Sequence, residues 1–138
     1  MIVAEDILKV ISDKQSLELL RIVALTKRDN NYNTDALMSK TKLTSEQYYS
    51  RMSTLSNAGL IKSNNGKHTL SAFGKVAFYA LTMIENGVTN YWKLKTIDSL
   101  EMSNDLPAEE RKKLIDNLLD NQEIKNILVR YNDNNNND

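Results

Sequence analysis

The chain has 138 residues, a length that excludes a large multi-domain enzyme. Its 18 Lys and Arg are balanced by 18 Asp and Glu, so no net electrostatic field attracts polyanions to the molecule as a whole. The absence of Cys excludes disulfides, thiolate metal sites and cysteine nucleophiles, and the single His, His68, excludes paired-histidine metal sites. No apolar run reaches the roughly 18 to 20 residues that cross a bilayer, so we expect a soluble, cytoplasmic protein.

The first part of the chain predicts helices, because Gly and Pro are scarce and apolar residues recur at helical spacing. A short helical arm is expected over residues 5–11. The capping box Ser12-Asp13-Lys14-Gln15 predicts the start of a helix that is apolar nearly all round and therefore central to the fold. After a turn at 29–33, Thr34 is expected to cap a short helix that ends near Lys40.

A second capping box, Thr44-Ser45-Glu46-Gln47, predicts the start of the next helix. Its apolar residues Tyr48, Met52 and Leu55 recur at i, i+4 and i+7, so they are expected to share one buried face. Gly59 lies just past the last of them and is typical of a helix C-terminus.

Two short strands follow, joined by the turn Asn64-Asn65-Gly66. Ser71 is then expected to cap a long helix over residues 72–100, with Gly87 as its candidate bend. Pro107 fits the first position of a helix over 107–120, and a last helix is expected over 122–131.

The charges are unevenly distributed. Residues 34–75 contain six Lys and Arg and two Asp and Glu, a net charge of +4, whereas residues 98–138 contain five bases and ten acids, a net charge of −5. The basic middle of the chain is therefore the candidate surface for a polyanion.

This order of elements resembles the winged helix-turn-helix domain. The run Leu37-Met38-Ser39-Lys40-Thr41-Lys42-Leu43-Thr44 looks like the entry of a helix-turn-helix, and residues 48–61 resemble its recognition helix running into an Ala-Gly-Leu-Ile strand entry. The run Leu70-Ser71-Ala72-Phe73-Gly74-Lys75-Val76 is similar to a subgroup of small archaeal winged-helix transcription regulators. The resemblance covers about residues 12–100. In one departure, Lys42 stands in the turn where the motif often has Gly, which would strain the turn if that position is left-handed.

The resemblance implies a mainly helical fold with a small β-hairpin wing. Residues 1–71 would form the winged helix-turn-helix domain, with a recognition helix at about 45–58 and a wing at about 60–70. Residues 72–131 would form the long helix and C-terminal helices, which we expect to dimerise. Residues 132–138 contain only Asn and Asp and are expected to be disordered.

The DNA-binding candidates lie on the polar side of the recognition helix, in the turn before it and on the wing. Arg51 can fork onto the acceptors of guanine, Tyr49 can contact a thymine methyl or a phosphate, and lysines can contact phosphates. The full set is Lys40, Lys42, Thr44, Ser45, Gln47, Tyr49, Ser50, Arg51, Ser53, Thr54, Lys62, Asn64, Asn65 and Lys67.

Each of these residues has a structural alternative. Gln47 fits a capping partner better than a base reader. Arg51 can be solvated or ion-paired, and Asn64 to Gly66 can serve only as a hairpin turn. His68, without a thiol or a second His, fits a surface position better than a metal site.

The long helix carries more aromatic and apolar residues than one buried face requires, and a second copy of the chain is the simplest partner for them. We assign Phe78, Met83, Tyr91 and Trp92 to a homodimer interface. The alternative is that the helices within 107–131 fold back and cover these residues.

The sequence thus predicts a dimeric DNA-binding transcriptional regulator that binds double-stranded DNA through the major groove and a basic wing. A winged helix used for contact with other proteins is the second hypothesis. No motif for phosphate, metal or nucleophile chemistry is present, so we expect neither an enzyme nor a bound cofactor, and the sequence identifies no small-molecule effector.

Overall fold

The structure is a computed structural model that describes residues 1–25, 34–102 and 106–135. It is mainly helical with one antiparallel two-stranded hairpin in the described residues, as the sequence predicts. The elements in chain order are α1 (Ala4–Ser12), α2 (Lys14–Leu25), α3 (Thr34–Lys40), α4 (Ser45–Asn57), β1 (Ile61–Asn64), β2 (Lys67–Leu70), α5 (Ala72–Thr89), α6 (Tyr91–Met102), α7 (Ala108–Leu118) and α8 (Gln122–Asn135). The predicted turn at 29–33 lies outside the described residues.

The chain divides into two compact units, Met1–Ala80 and Leu81–Asp138, and the division falls within α5. The sequence placed the division nine residues earlier, after Ser71. In the first unit α2 packs against α1, α4 and β2, which is the central position that its apolar sequence predicts. The buried core of this unit consists of Ile7, Leu19, Leu20, Val23, Leu37, Tyr48, Met52, Leu55, Leu60 and Ile61.

The cap of α2 is Asp13, and the prediction that Ser12 caps this helix is wrong. The Asp13 carboxylate accepts hydrogen bonds from the backbone N–H of Ser16 at 3.0 Å and from its hydroxyl at 2.8 Å. The Ser12 hydroxyl instead donates to the Lys9 carbonyl at 2.8 Å, at the end of α1. A carboxylate offers two acceptor oxygens and is a strong N-cap, so the competition between the adjacent residues favours Asp13.

Both ends of α4 form as predicted. The Thr44 hydroxyl accepts from the Gln47 N–H at 3.2 Å, and the Gln47 side chain accepts from the Thr44 N–H at 3.1 Å, which completes the capping box. At the other end Gly59 has φ +79°, the Leu60 N–H donates to Leu55, and the Gly59 N–H donates to Ser56. These two bonds define a Schellman motif, which turns the chain from α4 into β1.

The hairpin has the predicted Asn-Gly turn, with Asn65 at φ 53° and Gly66 at φ 76°. Two positive φ values match the right-handed twist of a two-residue hairpin. The strands pair Ile61 with Leu70, Lys62 with Thr69, Ser63 with His68 and Asn64 with Lys67.

A close backbone contact joins the hairpin to α5. The Ser71 N–H donates to the Leu60 carbonyl at 3.1 Å, and the Ser71 hydroxyl accepts from the Gly74 N–H at 2.8 Å and donates to the Gly59 carbonyl. Gly74 lies so close to Leu60 that a Cβ there would be 2.0 Å from the Leu60 carbonyl oxygen. Only glycine fits this position.

The second unit has its own small core, formed by Ile97, Ile115, Leu119 and Ile124. The predicted long helix is divided at Asn90 into α5 and α6, and the Asn90 side chain donates to the Asn86 carbonyl at 2.8 Å. The Asn90 N–H still donates to the Asn86 carbonyl at 3.1 Å and the Leu94 N–H to the Asn90 carbonyl at 2.9 Å, so helical hydrogen bonding continues across the division.

The ends of the last two helices differ from the predicted ones. Pro107 is the N-cap residue of α7 and not its first helical residue, since its ψ of 150° is extended. Helix α8 continues to Asn135, one turn into the segment predicted to be disordered, and residues 136–138 lie outside the described residues.

We predict that Gly74→Ala lowers the free energy of unfolding by about 3 kcal/mol, because the added methyl group forces the backbone of α5 away from Leu60. Gly87→Ala is the matched control, since no atom lies within 4 Å of a Cβ at Gly87. It should raise the free energy of unfolding by about 0.5 to 1 kcal/mol through helix propensity. Urea denaturation followed by circular dichroism measures both, and equal stabilities for the two variants would contradict the close contact.

Candidate nucleic-acid interface

Helix α4 separates an apolar face from a polar one. Tyr48, Met52 and Leu55 are buried in the core of the first unit, as the sequence predicts. Because residues three and four apart share a helix face, the opposite side is formed by other positions, which are exposed: Glu46, Tyr49, Ser50, Ser53 and Asn57. This surface, which we call the α4 polar face, carries many hydrogen-bonding groups and no aliphatic side chain.

The start of α4 has less free polar surface than its composition suggests. Thr44 and Gln47 are exposed, yet both side chains are used in the capping box. The Thr54 hydroxyl donates to the Ser50 carbonyl at 3.0 Å. The Ser45 and Ser53 side chains are exposed on the helix surface.

Tyr49 is the one aromatic side chain on the α4 polar face, and 58% of its surface is exposed. Its ring contacts the buried Tyr48 ring edge to face, with centroids 5.4 Å apart and an interplanar angle of 81°. This geometry is favourable for aromatic pairs, so the buried ring supports the exposed one.

Arg51 lies on the flank of α4 that faces the junction of α1 and α2. Its Nε atom is 3.1 Å from the Asp13 carboxylate and donates to the Gln15 side-chain oxygen at 3.2 Å. The ion pair is partly exposed, with 36% of the Arg51 side chain and 38% of the Asp13 side chain accessible, so water screens it and its contribution to stability is modest. The sequence left two alternatives for Arg51, an ion pair and a contact with a DNA base. In the structure Arg51 forms the ion pair.

The hairpin register sorts its side chains between two faces. Cross-strand partners share a face, and successive pairs alternate between faces, so Lys62, Asn64, Lys67 and Thr69 lie together. All four are exposed. The other face carries Ile61, Leu70, Ser63 and His68, of which Ile61 is buried in the core. Both hairpin lysines therefore project from the side opposite the core, which we call the hairpin cationic face.

His68 is bonded within the hairpin. Its Nδ1 atom is 2.8 Å from the Ser63 hydroxyl across the strand pair. Burial lowers the pKa of His68 from its ordinary 6.5, so the ring is neutral at pH 7. The charge of the hairpin at neutral pH therefore comes from its two lysines.

Two further exposed lysines lie before α4: Lys40 is the last residue of α3, and Lys42 lies in the connection between α3 and α4. Asn65 is the one non-glycine residue with positive φ in the described part of the chain, so Lys42 is free of left-handed strain. Thr41 between them is buried and donates to the Met38 carbonyl at 3.0 Å. Thr41 is thus buried, while the lysines on either side of it are exposed.

The residues assigned to a dimer interface have different surroundings. Met83 packs against the core of the second unit, and Phe78 is half-buried. Tyr91 and Trp92 stay exposed, Trp92 to 79%, with their rings 5.3 Å apart. The C-terminal helices therefore cover Met83 and leave the two aromatic rings open.

Sequence reasoning missed Asp13 and Gln15 as partners of Arg51. Gln15 is 36 residues from Arg51 in the chain, and no spacing rule connects residues at that distance. Asp13 was visible in the sequence as an acidic residue at the start of α2. Its ion pair with Arg51 depends on how α2 packs against α4.

Comparison of the chain with known protein families, with curated proteins and with solved structures finds no match. Over residues 1–25, 34–102 and 106–135, every helix is too short or too polar to cross a membrane.

We predict that Asp13→Asn changes how stability depends on pH. Hydrogen bonds from Ser16, and secondarily the charge of Arg51, lower the pKa of Asp13 below its ordinary 3.8. The stabilisation by the carboxylate is therefore present above pH 3.8 and is lost as the pH falls through the lower pKa of the folded state.

The measurement is urea denaturation of both proteins from pH 7 to pH 2.5. Asn is itself a good N-cap, so the variant keeps the cap and loses only the charge. The difference in the free energy of unfolding should be constant near neutral pH and shrink in acid. A difference that stays constant down to pH 2.5 would contradict the role of the charge.

Proposed function

We propose that this protein is a DNA-binding transcriptional regulator of the winged helix-turn-helix class, with α4 as the recognition helix and the β1–β2 hairpin as the wing. One observation carries the proposal: a helix with a polar outer face is joined, through the Gly59 turn, to a hairpin whose exposed face carries two lysines. Recognition helices and wings of this class combine these two features. Binding of this kind is association without a chemical reaction, and in a cell without a nucleus it takes place in the cytoplasm.

The dimensions and surface of α4 suit the major groove of duplex DNA. A helix of 13 residues is about 20 Å long, and the groove, about 12 Å wide, admits one helix. Serine side chains on the α4 polar face are short, which allows close approach of the helix to base edges. Their hydroxyls can donate to or accept from bases and phosphates.

The hairpin cationic face supplies charge for the DNA backbone. Lys62 and Lys67 are exposed and share that face. Each lysine placed at a phosphate releases condensed counterions, so a chain with zero net charge can bind DNA through a local cluster. Lys40 and Lys42, before α4, extend the cationic surface.

We also propose that the protein acts as a homodimer through the face of α5 and α6 that includes Tyr91 and Trp92. Ile84, Val88, Tyr91 and Trp92 recur at i, i+4, i+7 and i+8 and are all exposed in the second unit. Such a stripe exposes roughly 500 Å² of apolar surface per chain, near the largest patch that monomers usually show. Two copies would bury roughly 1,000 Å², the lower limit for a specific interface.

The lysine contribution is tested by Lys62→Gln and Lys67→Gln, with a fluorescent random-sequence duplex titrated at several salt concentrations. Each variant should weaken binding to all sequences alike, and should reduce the magnitude of the slope of log affinity against log salt by about 0.9. Lys112→Gln makes the same change of charge at an exposed α7 residue and should leave the slope unchanged.

Failure of the unmodified protein to bind duplex DNA at low salt would overturn the proposal. In that case the α4 polar face and the hairpin cationic face would be surfaces for contact with another protein. Loss of binding in Lys112→Gln equal to that in the hairpin variants would show that the effect is one of overall charge.

The dimer is tested by light scattering on the unmodified protein and on Tyr91→Ala/Trp92→Ala. The unmodified protein should have twice the mass of one chain, and the double variant should have the mass of a single chain at the same concentration. Leu8→Ala, at an exposed leucine of α1, is the control and should remain dimeric. A single-chain mass for the unmodified protein would contradict the dimer.

A further inference from the structure

The bases that α4 can distinguish are limited by its charged side chains. Guanine is read in the major groove chiefly by Arg or Lys, which donate to its O6 and N7 acceptors. Arg51 is the only Arg or Lys between Ser45 and Asn57. The capacity of α4 to read guanine therefore depends on whether Arg51 reaches the groove.

Arg51 is held away from the α4 polar face. Its Nε atom bonds to Asp13 and to Gln15, both at the junction of α1 and α2. Rotation of Arg51 toward a base would give up both bonds and remove the cation beside the Asp13 carboxylate. The arrangement thus opposes guanine readout by this side chain.

Glu46 does not replace Arg51 in this role. A carboxylate accepts hydrogen bonds and cannot donate to the guanine acceptors, so its partners are the amino groups of cytosine and adenine. The amide of Asn57 combines a donor and an acceptor, which matches adenine. The serines are too short to fork across two acceptors on one base. Guanine therefore lacks its usual bidentate partner, a free Arg or Lys, on α4.

Tyr49 is the largest group on the α4 polar face. Apart from Glu46 at i−3, its exposed helical neighbours are short, so the ring projects beyond them: Ser45 at i−4, Ser53 at i+4 and Ser56 at i+7. Its edge-to-face contact with the buried Tyr48 supports the ring. An exposed, supported aromatic ring offers an apolar surface in the groove.

We infer that Tyr49 is the specificity-determining residue of α4, and that it selects thymine by packing its ring against the C5-methyl group. The methyl group is the only apolar group that bases present in the major groove, so an aromatic ring has one partner there. The inference rests on the proposed function. It adds that α4 selects its site by thymine and not by guanine.

The experiment first enriches the tightest-binding duplex from a random pool. In that duplex each thymine is replaced singly by deoxyuridine, which lacks only the methyl group, and each guanine by 7-deazaguanine, which lacks the N7 acceptor. Affinity is measured by fluorescence anisotropy for the unmodified protein, Tyr49→Ala and Tyr49→Phe. Circular dichroism checks that each variant is folded, which is expected because Tyr49 is exposed.

Deoxyuridine at one thymine of each bound site should weaken binding by the unmodified protein about three- to five-fold, the effect of one buried methyl group. Tyr49→Phe keeps the ring and should keep this sensitivity, whereas Tyr49→Ala should bind both duplexes equally. 7-Deazaguanine should have little effect at any position that α4 covers.

The outcomes separate this inference from the proposed function. Tight binding with no sensitivity to deoxyuridine, or with the same sensitivity in Tyr49→Ala, would overturn the thymine readout alone. Sensitivity to 7-deazaguanine that disappears in Arg51→Gln would show that Arg51 leaves Asp13 to read guanine. The absence of binding to any duplex would overturn both the proposed function and this inference.

Discussion

The contact between Gly74 and the Leu60 carbonyl is the constraint on which the rest of the first unit depends. That carbonyl accepts a hydrogen bond from Ser71, while the Ser71 hydroxyl bridges Gly59 and Gly74. The end of α4, the start of the hairpin and the start of α5 thus meet at one set of backbone groups. A larger residue at position 74 would separate them. The relative placement of the α4 polar face and the hairpin cationic face is therefore fixed by backbone contacts and the Ser71 hydroxyl. The exposed side chains that we propose to bind DNA take no part in it.

The parts of this fold that follow from sequence are those encoded by neighbouring residues. The capping box at Thr44, the Gly59 helix end and the Asn65-Gly66 turn each span at most six residues, and each forms as predicted. The choice of Asp13 over Ser12 as a cap was not predictable by pattern, because both residue types are good N-caps. The division of the predicted long helix at Asn90 was not predictable from periodicity, because helical backbone hydrogen bonds continue across it.

The candidate site was predictable to a similar extent. Helical spacing separates buried Tyr48 from exposed Tyr49, and strand alternation places Lys62 and Lys67 on one face once the turn fixes the register. The partners of Arg51 were not predictable, since they come from a distant part of the chain. In the second unit, periodicity alone could not tell that Met83 packs into the core while Tyr91 and Trp92 stay exposed, because this depends on how α7 and α8 pack.

The turn at the tip of the hairpin also limits the chemical lifetime of the cationic face. In an Asn-Gly pair the backbone nitrogen of the glycine can attack the asparagine side chain with little steric hindrance, which releases ammonia and, after hydrolysis, leaves aspartate or isoaspartate. At Asn65 this adds one negative charge to a hairpin whose positive charge at neutral pH comes from two lysines, and isoaspartate also lengthens the backbone of a turn that requires two positive φ values. The residues that make the turn tight thus also expose it to slow deamidation, so the positive charge of the hairpin falls as the protein ages.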